Sequence, residues 1–205
     1  MLERKGSKGV LITNIGFEDI LRIRDQRRPH LFDLRQELPL PVFESCFGIS
    51  GRIDPSGEII DPLNQSERLD LIERLGRDSV EVVAVALLNS YANPAHEQEV
   101  GHWLRDAGFS YVSLSSDLTR TIRLLPRAET VSANAYLEPI MDRFIAKVSE
   151  GMEGGALQLL TSGGGLKDAG DYRPILSLIH ISEPTRQAEI SYADFCWKKK
   201  RGGGG

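Results

Sequence analysis

The most constraining feature of this 205-residue sequence is one predicted strand that is apolar almost from end to end. Val80–Leu88 reads VEVVAVALL, and a strand with apolar side chains on both faces is normally buried between helices in a parallel sheet. A predicted helix follows, with Asn93 as its cap, Pro94 at its first helical position and Gly108 as its stop, before a second strand at Phe109–Ser116. This order predicts a βαβ unit.

The segments before this unit are also typical of an α/β fold. Val10–Thr13 predicts a short strand and Phe17–Arg24 a helix, whereas the prolines of Arg28–Val42 indicate an extended connection. The turn residues at Asp54–Gly57 stand between two candidate strands, so we expect a β-hairpin there.

Two further helices are predicted from their apolar spacing. One has Asn64 or Ser66 as its cap and Gly76 as its stop, with an apolar stripe at Leu69, Ile72 and Leu75. The other runs from Ala128 to about Met152, and a strand that enters a glycine-rich turn follows it. The apolar side of this long helix comprises Val131, Ala135, Leu137, Ile140, Met141, Phe144, Ile145 and Val148.

Composition excludes several classes of protein. The formal net charge is −4, which does not fit a polybasic nucleic-acid-binding protein. No apolar run approaches the roughly 20 residues of a membrane span, and the N-terminal MLERKGSKG has no signal-peptide core. Cys46 and Cys196 are too few for a disulfide framework or a cysteine zinc site. We therefore expect a cytosolic protein without nucleic-acid or membrane partners.

Residues 176–205 differ from the rest of the sequence. They carry five basic and three acidic side chains and end in KKKRGGGG, which a run of A followed by a run of G would encode. The preceding LSLIHISEPTRQAEISYA resembles a translated sequencing adapter. We interpret this segment as a disordered, artefactual tail, and the alternative is a flexible basic tail that binds nucleic acid or a membrane surface.

Motif chemistry in the remaining sequence is sparse, because GxxxxGK[ST], GxGxxG, HExxH and paired CxxC motifs do not occur. TSGGGL at Thr161–Leu166 follows a predicted buried strand, and Ser162 with the backbone N–H groups of Gly164 and Gly165 could bind an anion. The alternative is a tight turn that only needs glycine for positive φ.

The second candidate is SYANPAHE, which places His96 and Glu97 at a helix start after a parallel strand. Ligands of open α/β sheets bind at the carboxyl ends of strands. The alternative is that Asn93 caps the helix while His96 lies in its solvated first turn. His30 and His102 are interpreted as ordinary loop and surface residues, and no metal site is predicted.

Several segments in unbroken order resemble the hydantoinase A/5-oxoprolinase family. They are MLERKGSKGVLITNIGFEDILRI, RRPHLFDL, LLNSYANPAHEQEVGHWLRDAGFSYVSLSSDL, IRLLPRAETVSANAYLEPIMDRF and LQLLTSGGGL, which together span about residues 2–174. The sequence departs from the family pattern at Asn89, where His is usual, at His30, where Asp is usual, and at Gly163.

The resemblance implies part of an actin-like (RNase H-type) ATPase fold, with a parallel or mixed sheet flanked by helices. It implies an enzyme that opens cyclic amides with ATP and Mg²⁺, closest to a 5-oxoprolinase that converts 5-oxo-L-proline to L-glutamate in glutathione metabolism. Within the family, the alternatives are N-methylhydantoinase and a subunit of acetone or acetophenone carboxylase. A non-catalytic binding module is the alternative of another class.

The resemblance also implies a domain organisation. Residues 1–118 correspond to the end of the family's N-terminal domain and residues 119–175 to the start of its next domain. The family's phosphate loops would lie before Met1 and after Pro174, so we expect an internal fragment that is inactive alone and has its catalytic residues elsewhere. A homodimer or a hydantoinase B-type domain is the expected partner.

Overall fold

The computed structural model describes residues 7–25 and 40–150, and the backbone of two short strands at 158–160 and 166–168. Residues 1–151 and 152–205 are two separate units. The described strands of the first unit are β1 (Gly9–Asn14), β2 (Ser45–Ile49), β3 (Arg52–Ile53), β4 (Ile59–Asp61), β5 (Val82–Val85) and β6 (Tyr111–Leu114). Its helices are α1 (Ile20–Ile23), α2 (Gln65–Arg77), α3 (Ala95–Asp106), α4 (Ser115–Leu118) and α5 (Leu124–Glu150).

Four strands form a parallel sheet in the order β2–β1–β5–β6. Val83 of β5 pairs with Val10 on one side and Val112 on the other. All four residues of β5 are fully buried, as its apolar composition predicts. The predicted βαβ unit is therefore confirmed as β5–α3–β6.

Helices cover both faces of the sheet. On one face, α2 and α3 pack against the strands through a core cluster comprising Val10, Ile12, Ile49, Leu63, Leu71, Leu75, Val83, Val85, Leu87, Val100, Trp103, Leu104 and Leu114. On the other face α5 contacts β1, β5 and β6, with Ala128, Val131 and Ala135 fully buried. These helix residues are small, so the helix axis can approach the sheet closely.

Two strand predictions needed correction. The predicted hairpin exists, because β3 and β4 pair antiparallel around the turn at Asp54–Gly57. The strand before the turn is nevertheless divided, since Ser45–Ile49 joins the parallel sheet and only Arg52–Ile53 enters the hairpin. Gly51 lies between them with φ +96°, a conformation that lets the chain change direction. The strand predicted at Phe109–Ser116 ends at Leu114.

The helix predictions were right in type and less accurate in detail. In α2 the Asn64 side chain accepts a hydrogen bond from the Ser66 amide, which confirms Asn64 as the cap. Leu69 is 74% exposed and Leu71 is buried in its place, because α2 is turned so that Leu71 and Leu75 face the core. Gly76 lies inside the helix.

The first and the last described helix also differ in extent from their predictions. The helix predicted at Phe17–Arg24 is a single turn, and α5 begins at Leu124. Only the first part of α5 packs on the sheet, so Phe144 of its predicted apolar side is 55% exposed. No helix in the described part of the chain is long and apolar enough to cross a membrane.

The second unit contributes two short strands, β7 (Gln158–Leu160) and β8 (Leu166–Asp168), which pair antiparallel. The strand predicted before the glycine-rich turn is thus confirmed. Residues 161–165 of that turn, the connection at 26–39 and the tail at 176–205 lie outside the described residues. The predicted domain division at residue 118 stays a prediction.

Candidate functional site at the carboxyl edge of the sheet

The strand order creates a switch point between β1 and β5. From β1 the chain continues to its neighbour β2 on one side, and from β5 it continues to β6 on the other side. Helix α1 contacts α5 on one face of the sheet, whereas α3 belongs to the core on the opposite face. Open α/β sheets bind ligands outside the carboxyl ends of the strands at such a point. This edge is therefore the candidate site.

The side chain of Asn14 bridges the two central strands at this edge. Its Oδ1 accepts a hydrogen bond from the Leu88 amide at 2.7 Å, and its Nδ2 donates to the Gly51 carbonyl at 2.7 Å. Asn14 is 7% exposed. One amide thus joins the end of β1 to the end of β5 and to the link between β2 and β3.

The turn after β5 carries Asn89, one of the positions where the sequence departs from the pattern that it resembles. Asn89 has φ +56°, and asparagine enters this left-handed region more readily than most residues with a Cβ. Its Nδ2 donates to the Ile53 carbonyl at 2.8 Å, so the β3–β4 hairpin is attached to the turn. The backbone conformation explains why asparagine is well accommodated here.

Glu97 lies at the start of α3 and is fully buried. Its carboxylate accepts hydrogen bonds from the Leu87 amide at 2.8 Å, the Ser115 hydroxyl at 2.7 Å and the Ser116 amide at 2.8 Å. The carboxylate therefore joins the chain segments that follow β5 and β6. A buried charge needs such partners because it has lost its hydration.

Arg127 of α5 is the cationic partner of Glu97 and is also fully buried, with Nη1 3.7 Å from the Glu97 Oε1. Its guanidinium donates to the Leu87 carbonyl at 2.7 Å, to the Ser115 hydroxyl at 3.0 Å and to the Ser90 hydroxyl. Burial lowers the pKa of the Arg127 guanidinium, and the negative charge of Glu97 opposes this shift. Because neither side chain is exposed, the pair can orient this edge but cannot contact a ligand in solution.

The predicted site residue His96 is 4% exposed at the start of α3. A Cβ added to Gly51 would lie 3.3 Å from the His96 Nδ1, so the ring packs against that glycine. Burial lowers the pKa of His96, while Glu99 and Asp61 act in the opposite direction. The imidazole is therefore favoured in its neutral form.

The alternative interpretation of this segment was half correct. The Asn93 Oδ1 does accept a hydrogen bond from the Ala95 amide at 3.0 Å and caps α3. His96, however, is buried rather than solvated. His102 is a surface residue as predicted, with its side chain 74% exposed near Asp106.

Other candidate features do not meet at this edge. Ser162, Gly164 and Gly165 lie outside the described residues. A cavity of about 430 Å³ lies at the opposite edge, near the amino ends of β1 and β2, and is lined by Lys8, Phe43 and Tyr136 among others. Within residues 7–25 and 40–150 no group of three His, Cys, Asp or Glu side chains could hold a metal ion.

Sequence reasoning missed Asn14 and Arg127. Arg127 lies one residue before the predicted start of the long helix, and only the observed start of α5 at Leu124 places it on the buried side of that helix. Its partners at Leu87, Ser90 and Glu97 are 30 to 40 residues away in sequence, so their proximity was not readable from local patterns.

The sheet, its helices and this edge define an α/β domain of the actin-like ATPase type. Two solved structures share the fold, each with a TM-score of 0.68. An ATP-dependent caprolactamase from Pseudomonas jessenii is 28% identical and matches 80% of this chain and 25% of its own. An acetone carboxylase in its nucleotide-free form is 22% identical and matches 86% of this chain and 28% of its own.

Comparison of sequences identifies the family more specifically than the shared fold does. Residues 1–108 match the hydantoinase/oxoprolinase N-terminal region, and the chain belongs to this family. A 5-oxoprolinase of Saccharomyces cerevisiae is 32% identical over 97% of this chain, and 5-oxoprolinase 1 of Arabidopsis thaliana is 31% identical over 81%. The chain spans only 18% and 15% of the lengths of these relatives.

Proposed function

We propose that this chain is part of an ATP-dependent enzyme of the 5-oxoprolinase type, which opens 5-oxo-L-proline to L-glutamate. The observation that carries the proposal is the 32% identity with the yeast 5-oxoprolinase over nearly the whole chain. The fold shared with an ATP-dependent caprolactamase supports it, since that enzyme also takes its name from a cyclic amide. We place the enzyme in the cytosol, with a second copy or a hydantoinase B-type domain as its partner.

ATP and Mg²⁺ are the proposed cofactors of the whole protein. The described residues lack a cluster of metal-ligating side chains, so we assign no Mg²⁺ ligand to them and derive no step through the metal. The contribution of this chain is an ordered edge of the sheet, where Asn14, Glu97 and Arg127 fix the segments after β1, β5 and β6.

The proposed binding residues are His96, Ser162, Gly164 and Gly165. His96 lies at the carboxyl edge and packs against Gly51, which supports a role in shaping the site. For the glycine-rich turn the support is chemical, because consecutive backbone N–H groups can bind a substrate carboxylate or a phosphate.

A substitution in the intact enzyme tests the proposed turn. Ser162→Ala should raise KM or lower kcat by roughly tenfold, about 1.4 kcal/mol, with an unchanged melting temperature. Unchanged kinetics with a lower melting temperature would show that Ser162 only supports the turn.

A carboxylase is the second candidate. The gamma subunit of acetophenone carboxylase from Aromatoleum aromaticum is 28% identical over 80% of this chain, and the acetone carboxylase shares the fold. This candidate predicts ATP-dependent consumption of bicarbonate with a ketone, and no glutamate from 5-oxoproline.

The deciding experiment uses the complete protein that contains this chain. Glutamate formation from 5-oxo-L-proline is measured with and without ATP and Mg²⁺, alongside ATP hydrolysis, and a parallel reaction contains acetone or acetophenone with bicarbonate. ATP-dependent glutamate formation is the expected result. Ketone carboxylation would favour the second candidate, and neither activity would favour a non-catalytic binding module.

A further inference from the structure

The buried pair of Glu97 and Arg127 is placed where it controls the shape of one short turn. The two side chains together contact Leu87, Ser90 and Tyr91, which belong to the segment that follows β5. This segment reaches the carboxyl edge beside the switch point between β1 and β5.

The contacts hold the turn from several directions. Glu97 accepts from the Leu87 amide while Arg127 donates to the Leu87 carbonyl, so both polar groups of one peptide residue are engaged. Ser90 receives a hydrogen bond from Arg127 and donates to the Leu87 carbonyl at 3.1 Å. The backbone of the turn thus depends on the guanidinium of a helix that lies far away in sequence.

Tyr91 at the end of this turn is half-buried, so part of its aromatic side chain is exposed. Its ring centroid lies 5.9 Å from the Arg127 guanidinium carbon, within the range of a cation–π contact. The position of the aromatic ring is therefore coupled to the same cation that fixes the backbone.

We propose that Arg127, supported by Glu97, is a positioning residue that holds Tyr91 as a wall of the substrate site. This inference rests on the proposed function, because it assigns the ring of Tyr91 to the contact surface for the cyclic amide. Arg127 touches no substrate and acts through Tyr91 and the backbone of residues 87–91.

The pair is costly as a purely structural device. Charges that are fully removed from water lose their hydration, and an apolar replacement of similar volume is often at least as stable. A guanidinium can do what an apolar side chain cannot, since its planar set of N–H groups donates to the Leu87 carbonyl and to the Ser90 and Ser115 hydroxyl groups at the same time. Positioning of the turn accounts for the use of arginine here.

Arg127→Lys is the decisive variant in the complete protein, because it keeps the charge and loses the planar fork. We expect a KM for 5-oxo-L-proline about tenfold higher, with kcat changed less than twofold. Amide hydrogen exchange in residues 87–91 should accelerate about tenfold while exchange in α2 is unchanged. Tyr91→Ala should reproduce the rise in KM, and Tyr91→Phe should retain the wild-type KM because the ring remains.

Glu129→Gln on the same helix is the matched control. Glu129 pairs with Arg24 at 2.7 Å, but both side chains are about one third exposed. This variant should alter neither KM nor exchange in the turn.

The possible failures are separable. Unchanged exchange in Arg127→Lys would overturn the positioning of the turn, whatever the activity. Faster exchange with an unchanged KM, or a Tyr91→Ala variant with wild-type KM, would overturn the link to substrate. A wild-type protein without activity on 5-oxo-L-proline would instead overturn the proposed function and the substrate part of the inference, while the exchange result would still decide the positioning of the turn.

Discussion

Removing both members of the buried pair should destabilise this domain by less than the sum of the two single removals. The single variants are Glu97→Gln and Arg127→Met, each similar in size to the residue it replaces. With 3.7 Å between the charged atoms, the attraction is about 4.5 kcal/mol at an effective dielectric constant of 20. Desolvation of both groups offsets much of this attraction.

The expected loss in the free energy of unfolding depends on which buried group remains without its partner after each substitution. Arg127→Met leaves the Glu97 carboxylate buried without its cation and should lower the free energy of unfolding by about 3–5 kcal/mol. Glu97→Gln keeps an oxygen acceptor and should cost less, roughly 2–3 kcal/mol. The double variant should cost less than the sum, with a coupling energy of about 2 kcal/mol.

Urea unfolding monitored by tryptophan fluorescence measures these differences. Trp103 lies in the core at 4% exposure, and Trp197 is replaced by Phe so that one signal remains. The control cycle pairs Arg24→Gln with Glu129→Gln, where partial exposure predicts a coupling of about 0–1 kcal/mol. A coupling below about 0.5 kcal/mol for Glu97 and Arg127 would refute the reasoning.

Four smaller predictions concern single residues. Gly51→Ala should destabilise the domain by more than about 1 kcal/mol in urea unfolding, because φ is +96° and the new Cβ would lie 2.8 Å from Leu63. Gly76→Ala should instead stabilise the domain by up to about 1 kcal/mol, because Gly76 lies in a helix and its new Cβ would meet open space. The same change in stability for both glycine variants would contradict this argument. The folded state lowers the pKa of His96, so the unfolded state binds the proton first and stability should fall as the pH drops below about 6.5. The loss of stability at low pH should be smaller in His96→Gln and unchanged in His102→Gln. Urea unfolding midpoints at several pH values measure both effects. The pKa of Cys46 is raised to about 12, mainly by burial and then by Glu18 and Asp19. In a Cys196→Ser variant, the Cys46 thiol should therefore react with iodoacetamide much more slowly at pH 8 than free cysteine does. Equal reaction rates would contradict this prediction.

The sequence alone determined the elements and the class of the fold. The unbroken apolar run of β5, the Asn93 cap and the stop at Gly108 are local signals, and they correctly predicted the strand, the helix and their parallel neighbour. The resemblance of several segments correctly predicted the family. Such features are readable because periodicity and capping depend on residues a few positions apart.

The tertiary structure alone decided which faces and edges meet. Leu71 rather than Leu69 faces the core because the orientation of α2 is set by the sheet beneath it. Ser45–Ile49 joins β1 instead of extending the hairpin, and this pairing completes the strand order that defines the switch point. Glu97 and Arg127 meet because α3 and α5 begin at the same edge of the sheet. Long-range pairings of this kind depend on how whole elements pack, and no local pattern encodes them.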